Sequence, residues 1–314
     1  MLSFSVGYAL SDVHATDRTL RAAASISTPS PTAGAVVSPT ASPAVDTPAP
    51  PAPEPTPPPA PAHPSFGPLA ATIQTIVAAS GSPVSVSLVE LAGPAPSSWD
   101  LGGSVVMSAA STYKLPALIE EAQLIAAGKL DPAGQICYQD GDWEDGWYDD
   151  YAVGTCYSRA ELADRAAHFS DNTAGHMLVR DLGGAAALNS YATSLGDLNS
   201  SFFDGNETTA DDLAQLLVAE ASGSAGGVQA HAWLYPKLTN TRYEAGIPAG
   251  VPGGVTVVHK TGELDGEVND AGIVAGGKNG AYVLTVMTNG PGGDSGWSLV
   301  AQVSAAVWTY EATR

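Results

Sequence analysis

The chain has 314 residues, 44% of them hydrophobic, so it is long enough to bury one sizeable core. Its formal net charge is −20, from 32 acidic and 12 basic side chains, which excludes the basic surface that nucleic acid or an anionic membrane would need. No dinucleotide fingerprint, phosphate loop or metal-ligand spacing occurs, so we predict neither a cofactor nor a metal.

The N-terminal part of the chain is rich in proline. Fourteen of the 24 prolines fall between Pro29 and Pro64, interleaved with alanine, threonine and serine. This composition favours an extended spacer that reaches up to about 110 Å at roughly 3.1 Å per residue. We therefore predict a disordered N-terminal region with a Pro-rich linker over residues 1–65 and one folded domain over residues 66–314.

Such spacers commonly carry an extracytoplasmic domain away from a membrane or wall. We accordingly expect a protein that is secreted or tethered at the cell envelope. Residues 1–10 have no basic region and Asp12 ends their apolar run, so they do not match an export signal. Since no segment is long enough to span a bilayer, we expect the signal or anchor to lie upstream of the given start.

Ser111-Thr-Tyr-Lys114 is the first of three short polar motifs. Residues three apart share one face of a helix, so this spacing puts a hydroxyl beside an amine at a helix start, where a backbone N–H also points at a developing oxyanion. A helix buried on one side is predicted by the apolar residues that follow: Leu115, Leu118, Ile119, Ala122 and Ile125. A lone motif of this form is common, and a capped helix with a solvated lysine is the alternative.

Cys137 and Cys156 are the only cysteines, and they bracket an acidic and aromatic segment. A disulfide between them would stabilise the fold by about 3 kcal/mol on the loop-entropy model, while two free buried thiols are the alternative. From Asp140 onward, carboxylates occupy the first, third and fifth positions of a calcium loop. Asp145 and Tyr151 stand where that loop needs glycine and glutamate, which argues against calcium.

The second and third motifs follow further along the chain. Ser158-Arg-Ala-Glu161 has the form of a capping box and predicts a helix that runs towards Ser170-Asp-Asn172, the junction with the next helix. Lys260-Thr-Gly262 follows the β-branched run 255–259, which predicts a strand with the lysine at its end. The alternatives are a cluster of N-caps for the second motif and a solvated edge charge for the third.

Together, the three motifs supply a nucleophilic hydroxyl, two lysines and a second hydroxyl that passes protons. With them, the chain resembles the class A β-lactamase and penicillin-binding serine hydrolase family over residues 66–314. The resemblance extends through Ala109-Ala-Ser-Thr-Tyr-Lys-Leu-Pro116, Ser170-Asp-Asn-Thr-Ala174 and His259-Lys-Thr-Gly-Glu-Leu-Asp-Gly266. It implies an α/β (α+β) fold, in which an antiparallel sheet flanked by helices and an all-helical subdomain enclose the site.

The resemblance also implies catalytic roles. Ser111 is the nucleophile, Lys114 is its base and Ser170 is the proton shuttle. Lys260 is the second lysine of the catalytic centre. The oxyanion hole is formed by the backbone N–H groups of Ser111 and Glu263.

For substrate binding, the resemblance implies that Asn172 contacts an amide of the substrate, while Lys260 and Thr261 bind its carboxylate beside Gly262. The family usually adds an arginine next to this strand. Between Lys260 and the last residue of the chain no arginine occurs, so Arg242 is the remaining candidate.

One departure from the family pattern concerns hydrolysis of the acyl-enzyme. Class A β-lactamases carry a glutamate on an omega-shaped loop, between the second and third motifs, that positions the water. Here that loop is about a dozen residues short and lacks the glutamate, and residues 207–213 predict the start of the next helix. Asp204 and Glu207 are the only nearby carboxylates and thus the candidates for a replacement base, although Glu207 is more simply interpreted as a charge in the first helical turn. Without such a base, we expect an enzyme that acylates and then turns over slowly, or one that uses Lys114 for both steps.

Placed by the resemblance, the cysteine-bracketed segment lies beside the mouth of the site. Its carboxylates would repel an anionic substrate. Its aromatic residues form a wall for the substrate: Trp143, Trp147, Tyr148 and Tyr151.

Three functions remain open. The first is a β-lactamase-type hydrolase that acylates Ser111 with a β-lactam or D-alanyl peptide-like carbonyl. The second is a D-alanyl peptidase or esterase of the penicillin-binding type. The third is a module that binds β-lactam or peptidoglycan without turnover. In each case we expect a monomer with a small-molecule or peptidoglycan-type ligand.

Overall fold

The computed structural model describes residues 65–93 and 96–313. The predicted spacer therefore lies outside the described residues except for Ser65, and the domain boundary stays a prediction. Within the described ranges, no helix combines the length and the apolar character that crossing a bilayer requires.

The described chain contains nine strands and eight α-helices. The strands are β1 (Val84–Glu90), β2 (Ser98–Leu101), β3 (Met107–Ser108), β4 (Gln135–Cys137), β5 (Cys156–Ser158), β6 (Glu207–Thr208), β7 (Thr256–Leu264), β8 (Glu267–Ala275) and β9 (Tyr282–Asn289). The helices are α1 (Gly67–Ser80), α2 (Lys114–Ala126), α3 (Arg159–His168), α4 (Asn172–Asp181), α5 (Ala185–Ser194), α6 (Ala210–Ala221), α7 (Gly227–Leu234) and α8 (Gly293–Thr313).

Five strands form an antiparallel sheet in the order β2-β1-β9-β8-β7. Both faces of the central strand β9 are buried. Leu284 and Val286 belong to a core shared with α1 and α8, and Val283 and Met287 belong to the core of the helical part. Because side chains alternate across a strand, the run of apolar residues in β9 fills two cores at once.

Helix α2 lies at the centre of the helical part. Four of the five predicted positions are fully buried, Leu115, Leu118, Ile119 and Ala122, which confirms the spacing there, whereas Ile125 is only half-buried. The expectation of one-sided burial is wrong, because Lys114, Pro116, Ala117 and Glu121 on the other faces are buried as well. Helices α3, α4, α5 and α7 surround α2, and the carboxylate of Glu121 pairs with the guanidinium of Arg159.

The second motif connects two helices, as predicted. Ser158 caps α3, since its hydroxyl accepts a hydrogen bond from the backbone N–H of Glu161 at 3.2 Å. Asp171 caps α4 by accepting from the backbone N–H of Ala174 at 2.8 Å. Ser170 stands between the two helices with a φ of 58°.

Two predicted element boundaries are wrong. Lys260-Thr-Gly262 lies inside β7 rather than at its end, because β7 pairs with β8 as far as Leu264. A turn at Asp265 and Gly266 then connects the two strands. Glu207 lies on β6, which pairs with β3, and not in a first helical turn. Helix α6 begins only at Ala210.

Candidate active site

Ser111 lies in one turn of 3₁₀-helix, Ala110–Tyr113, directly before α2. The turn is strained, because Ala110 has a left-handed φ of 45°. This conformation is energetically unfavourable for any residue that carries a Cβ. Strand β7 packs closely against this turn, since a Cβ on Gly262 would lie 2.9 Å from the backbone nitrogen of Ser111. Glycine at this position therefore lets the strand and the nucleophile approach each other closely.

The amine of Lys114 lies next to the hydroxyl of Ser111. Its Nζ is 2.7 Å from Ser111 Oγ, 2.9 Å from the carbonyl oxygen of Ser170 and 2.7 Å from Asn172 Oδ1. Both carbonyl-type oxygens can only accept, so they engage two N–H groups of the amine. In a neutral amine, this arrangement leaves the nitrogen lone pair for the Ser111 hydroxyl.

The charge state of Lys114 suits this role. Its side chain is 1% exposed, and burial lowers its pKa to about 7, although the negative charges of Glu144 and Asp171 partly oppose the change. A base with such a pKa is substantially deprotonated at neutral pH. Gly175 allows the close packing, since a Cβ there would lie 2.7 Å from Lys114 Cε.

A second amine and hydroxyl lie beside the first pair. Lys260 Nζ donates to Ser170 Oγ at 2.9 Å and to the carbonyl oxygen of Thr261 at 2.7 Å. Burial, together with the positive charge of Lys114, holds the pKa of Lys260 well below its usual value, although Asp270 opposes this. Ser170 thus contacts both lysines, through its carbonyl oxygen and through its hydroxyl.

These groups border a cleft of about 300 Å³ between the helical part and β7. It is lined by Ser111, Gly146, Trp147, Phe169, Ser170, Asn172, Tyr243, Thr261, Gly262, Glu263 and Trp297. The predicted residues of all three motifs therefore meet at one place.

Comparison with known proteins agrees with this geometry. The model of the beta-lactamase enzyme family matches residues 68–310, well over half of the chain. The chain belongs to this family. Residues 111–114, 170–172 and 260–262, which carry the three motifs, all fall inside the matched range.

Curated relatives include β-lactamases from two bacteria. That of Amycolatopsis lactamdurans is 32% identical over 155 residues, which cover 44% of this chain and 50% of that protein. That of Mycobacterium tuberculosis is 33% identical over 161 residues, covering 45% and 52%. The chain thus spans about half the length of the curated relatives it matches.

Solved structures similar to this family member include PBP-A, at 26% identity and a TM-score of 0.71 over 76% of this chain and 95% of PBP-A. A point mutant of PBP-A, solved as an acyl-enzyme complex with penicillin G, is 27% identical with a TM-score of 0.71, covering 79% and 98%. A β-lactamase from Sphaerobacter thermophilus is 27% identical with a TM-score of 0.68, covering 79% and 98%. These matches confirm the predicted β-lactamase/transpeptidase-like fold.

Arg242 does not line the cleft of this β-lactamase family member. Its side chain is exposed, and its guanidinium carbon lies 5.1 Å from the ring centroid of Trp147. Its backbone N–H donates to the carbonyl oxygen of His168 at 3.0 Å, which fixes the chain just before Tyr243. Binding of a substrate carboxylate by Arg242 stays a prediction.

Cys137 and Cys156 form the predicted disulfide, opposite each other on β4 and β5. The segment they enclose is attached to the second motif by Asp171, a role that sequence reasoning missed. The carboxylate of Asp171 accepts from the backbone N–H groups of Trp147 at 3.0 Å and Tyr148 at 2.9 Å, and from the Tyr151 hydroxyl at 2.6 Å.

The predicted aromatic wall is correct only for Trp147. Trp143 is 48% exposed, Tyr148 is half-buried and Tyr151 is buried, and none of these three lines the cleft. The other rings at the cleft come from elements distant in sequence: Phe169, Tyr243 and Trp297.

Reducing the disulfide, or replacing both cysteines by serine, should lower the free energy of unfolding by about 2–4 kcal/mol. It should also raise KM more than it lowers kcat, because the enclosed segment carries Trp147 but none of the reacting groups. Denaturant unfolding and steady-state kinetics check both effects. Reductant should have no further effect on the double variant, and two titratable thiols in the unfolded, unreduced protein would contradict the prediction.

The segment between the second and third motifs supports the turn that carries the nucleophile, but it places no carboxylate near Ser111. The backbone carbonyl oxygen of Asn206 accepts from the backbone N–H of Ala109 at 2.8 Å, and its Nδ2 donates to the carbonyl oxygen of Ala110 at 3.3 Å. Asp204 and Glu207 are exposed, and neither lines the cleft.

His259, next to Lys260 on β7, is 1% exposed between two carboxylates. Its Nδ1 lies 2.8 Å from Asp270 Oδ1, and its Nε2 lies 3.1 Å from Glu244 Oε1. Burial alone would lower the pKa of His259, but the two carboxylates outweigh it and raise the pKa to about 9. His259 thus links β7 to β8 through Asp270, and to Glu244, the residue that follows Tyr243. Among the described residues, no group of three His, Cys, Asp or Glu side chains is arranged to hold a metal ion.

Proposed function

We propose that the protein is a serine hydrolase that acylates Ser111 with the carbonyl carbon of a β-lactam and hydrolyses the acyl-enzyme slowly. The observation that carries this proposal is the 2.7 Å approach of Lys114 Nζ to Ser111 Oγ, with two carbonyl-type oxygens placed to accept from both N–H groups of the neutral amine. Membership of the β-lactamase family supports it. So does the penicillin G acyl-enzyme of the similar PBP-A mutant.

In the proposed acylation, neutral Lys114 takes the proton of the Ser111 hydroxyl as Oγ attacks the carbonyl carbon. The backbone N–H groups of Ser111 and Glu263 stabilise the oxyanion. The ring C–N bond then breaks, and the leaving nitrogen takes the proton of the Ser170 hydroxyl. Protonated Lys260, which donates to that hydroxyl, replaces this proton and becomes neutral, while Lys114 keeps the proton that it took from Ser111.

Hydrolysis of the ester on Ser111 needs an activated water. Glu263 is the one carboxylate that lines the cleft in the described part of the chain, while Asp204 and Glu207 lie outside it. Glu263 lies on β7, and the segment between the second and third motifs places no carboxylate in the cleft, so we expect the acyl-enzyme to decay slowly. The same observation favours, as a second candidate, a D-alanyl peptidase or esterase of the penicillin-binding type.

We also propose that the protein acts outside the cytoplasm as a monomer. A disulfide between exposed cysteines is stable in an oxidising compartment, which supports the first part. Fractionation of the producing cells and light scattering of the purified protein test the two parts.

Mixing the protein with a penicillin should give a covalent adduct by intact mass, and kinetics should show a burst of about one product per enzyme before a slow steady state. An adduct that decays slowly, at the rate of the steady state, supports the proposed hydrolysis, and an adduct that does not decay indicates a binder or slow peptidase. No adduct with any β-lactam would contradict the proposal and indicate an unrelated ester substrate.

Two substitutions test whether a carboxylate drives the slow phase. Asp204→Asn and Glu207→Gln should each change it by less than about threefold, because these exposed charges lie outside the cleft. A carboxylate that activates water contributes roughly a hundredfold or more. A loss of that size, with the burst retained, would show that the deacylating base has moved to a new position.

A further inference from the structure

The wall of the cleft carries a negative charge close to the nucleophile. Glu263 is the one charged residue that lines the cleft among the described residues, and it follows Lys260-Thr-Gly262 directly on β7. The two lysines of the site are each 1% exposed. A substrate that enters the cleft therefore meets a carboxylate on its surface, whereas these two lysines are buried and the exposed Arg242 lies outside the lining, against Trp147.

The position of Glu263 on its strand directs its side chain into the cleft. Side chains alternate along a strand, so Glu263 shares a face with Thr261, which also lines the cleft. One carboxylate oxygen, Oε2, accepts from Trp297 Nε1 at 3.3 Å. In the part of the chain that the structure describes, no lysine, arginine or histidine forms an ion pair with Glu263.

Aromatic rings line the same cleft as this carboxylate. Trp147, Tyr243 and Trp297 line the same cleft. Burial and the negative charge of Glu263 raise the pKa of Tyr243, with Arg242 opposing, which indicates that the phenol and the carboxylate are near each other. A carboxylate among aromatic rings attracts an ammonium group both by its charge and by the negative faces of the rings.

We propose that Glu263 is a specificity-determining residue, which makes the cleft prefer β-lactams whose acyl side chain carries a primary ammonium over β-lactams of similar shape that carry a carboxylate there. The inference rests on the proposed function, because it concerns acylation of Ser111. The carboxylate on the bicyclic ring is common to all penicillins, so its repulsion cancels when they are compared. Selectivity then arises because Glu263 attracts an ammonium on the acyl side chain of the penicillin and repels a carboxylate at the same place.

Three penicillins that share a phenylacetyl skeleton test the proposal: ampicillin with an ammonium, benzylpenicillin with hydrogen and carbenicillin with a carboxylate on the same carbon. Their second-order acylation rates are measured by intact mass at about pH 6.5, where the amine is protonated. The expected order is ampicillin, benzylpenicillin, carbenicillin. Glu263→Gln should lower the ampicillin-to-carbenicillin ratio about tenfold, because each charge interaction at a partly exposed site contributes up to about fivefold.

Asp265→Asn is the matched control. Asp265 is exposed on the same hairpin and lies outside the cleft, and its φ of 45° is one that asparagine tolerates. This control should leave the ratio within about twofold of the wild type. An unchanged ratio in Glu263→Gln, or an equal fall in Asp265→Asn, would overturn the proposal.

The test separates this proposal from the proposed function. Acylation by all three penicillins with an unchanged ratio refutes only the role of Glu263. If no penicillin acylates the wild-type protein, the proposed function fails and the selectivity fails with it.

Discussion

Ser111→Ala should abolish covalent labelling by penicillins and all hydrolysis, while the protein remains folded. The hydroxyl is the atom that forms the acyl bond, and no other hydroxyl lies within hydrogen-bond distance of Lys114 Nζ in the described part of the chain. Without this hydroxyl, the amine of Lys114 still donates to the carbonyl oxygen of Ser170 and to Asn172 Oδ1. Since Ser111 is only partly buried, its loss should change the free energy of unfolding by about 0.5 kcal/mol or less.

Intact mass after incubation with a penicillin measures the labelling, and denaturant unfolding measures the fold. Ser190→Ala is a suitable control, because Ser190 is exposed on α5 and its hydroxyl contacts only the backbone of its own helix. Labelling that survives in Ser111→Ala would remove Ser111 from the role of nucleophile.

The nucleophile and its base can be predicted because their relation is local. Residues 111 and 114 are three apart on one helical turn, and the apolar spacing after them shows which segment forms the helix. The cap at Ser158 is predictable for the same reason, since the donor N–H of Glu161 lies three residues away.

The wrong boundaries arise where partners are distant in sequence. Glu207 is placed by pairing of β6 with β3, about a hundred residues earlier, and no pattern near Glu207 shows that pairing. Strand β7 is longer than predicted, although the sequence holds a signal for its true end. Asp265-Gly266 is a dipeptide typical of a two-residue hairpin, and both residues have positive φ, so the strand continues to Leu264.

Some functional roles depend on burial and on the positions of distant acceptors, which a sequence does not display. The second residue of the Ser170-Asp-Asn172 motif has the pattern of a simple helix cap, yet Asp171 also holds the backbone of Trp147 beside the cleft. The pKa of Lys114 is lowered because its amine is buried. The sequence shows only a lysine at the start of a helix and does not show that burial.

Acylation of the wild-type protein should depend on pH through Lys114. The neutral amine is the active base and burial lowers its pKa to about 7, so the protonated fraction grows as pH falls below that value. The acylation rate should then fall about tenfold per pH unit below about pH 7 and level off above it. An ordinary lysine, with its pKa near 10.4, would instead give a rate that still rises at about pH 9.

Lys114→Ala should lower the acylation rate by at least about a thousandfold, because the Ser111 hydroxyl would then attack without a base. The dependence of the remaining acylation rate on pH near pH 7 should disappear as well. A loss of stability alone would lower the rate but would not remove this pH dependence. Lys129→Ala, at an exposed lysine just beyond the same helix, should keep both the rate and its pH dependence. If Lys114→Ala acylates at nearly the wild-type rate, another base must act on Ser111. Lys260 would be substituted next, since its amine is buried at the same site and its pKa is also lowered.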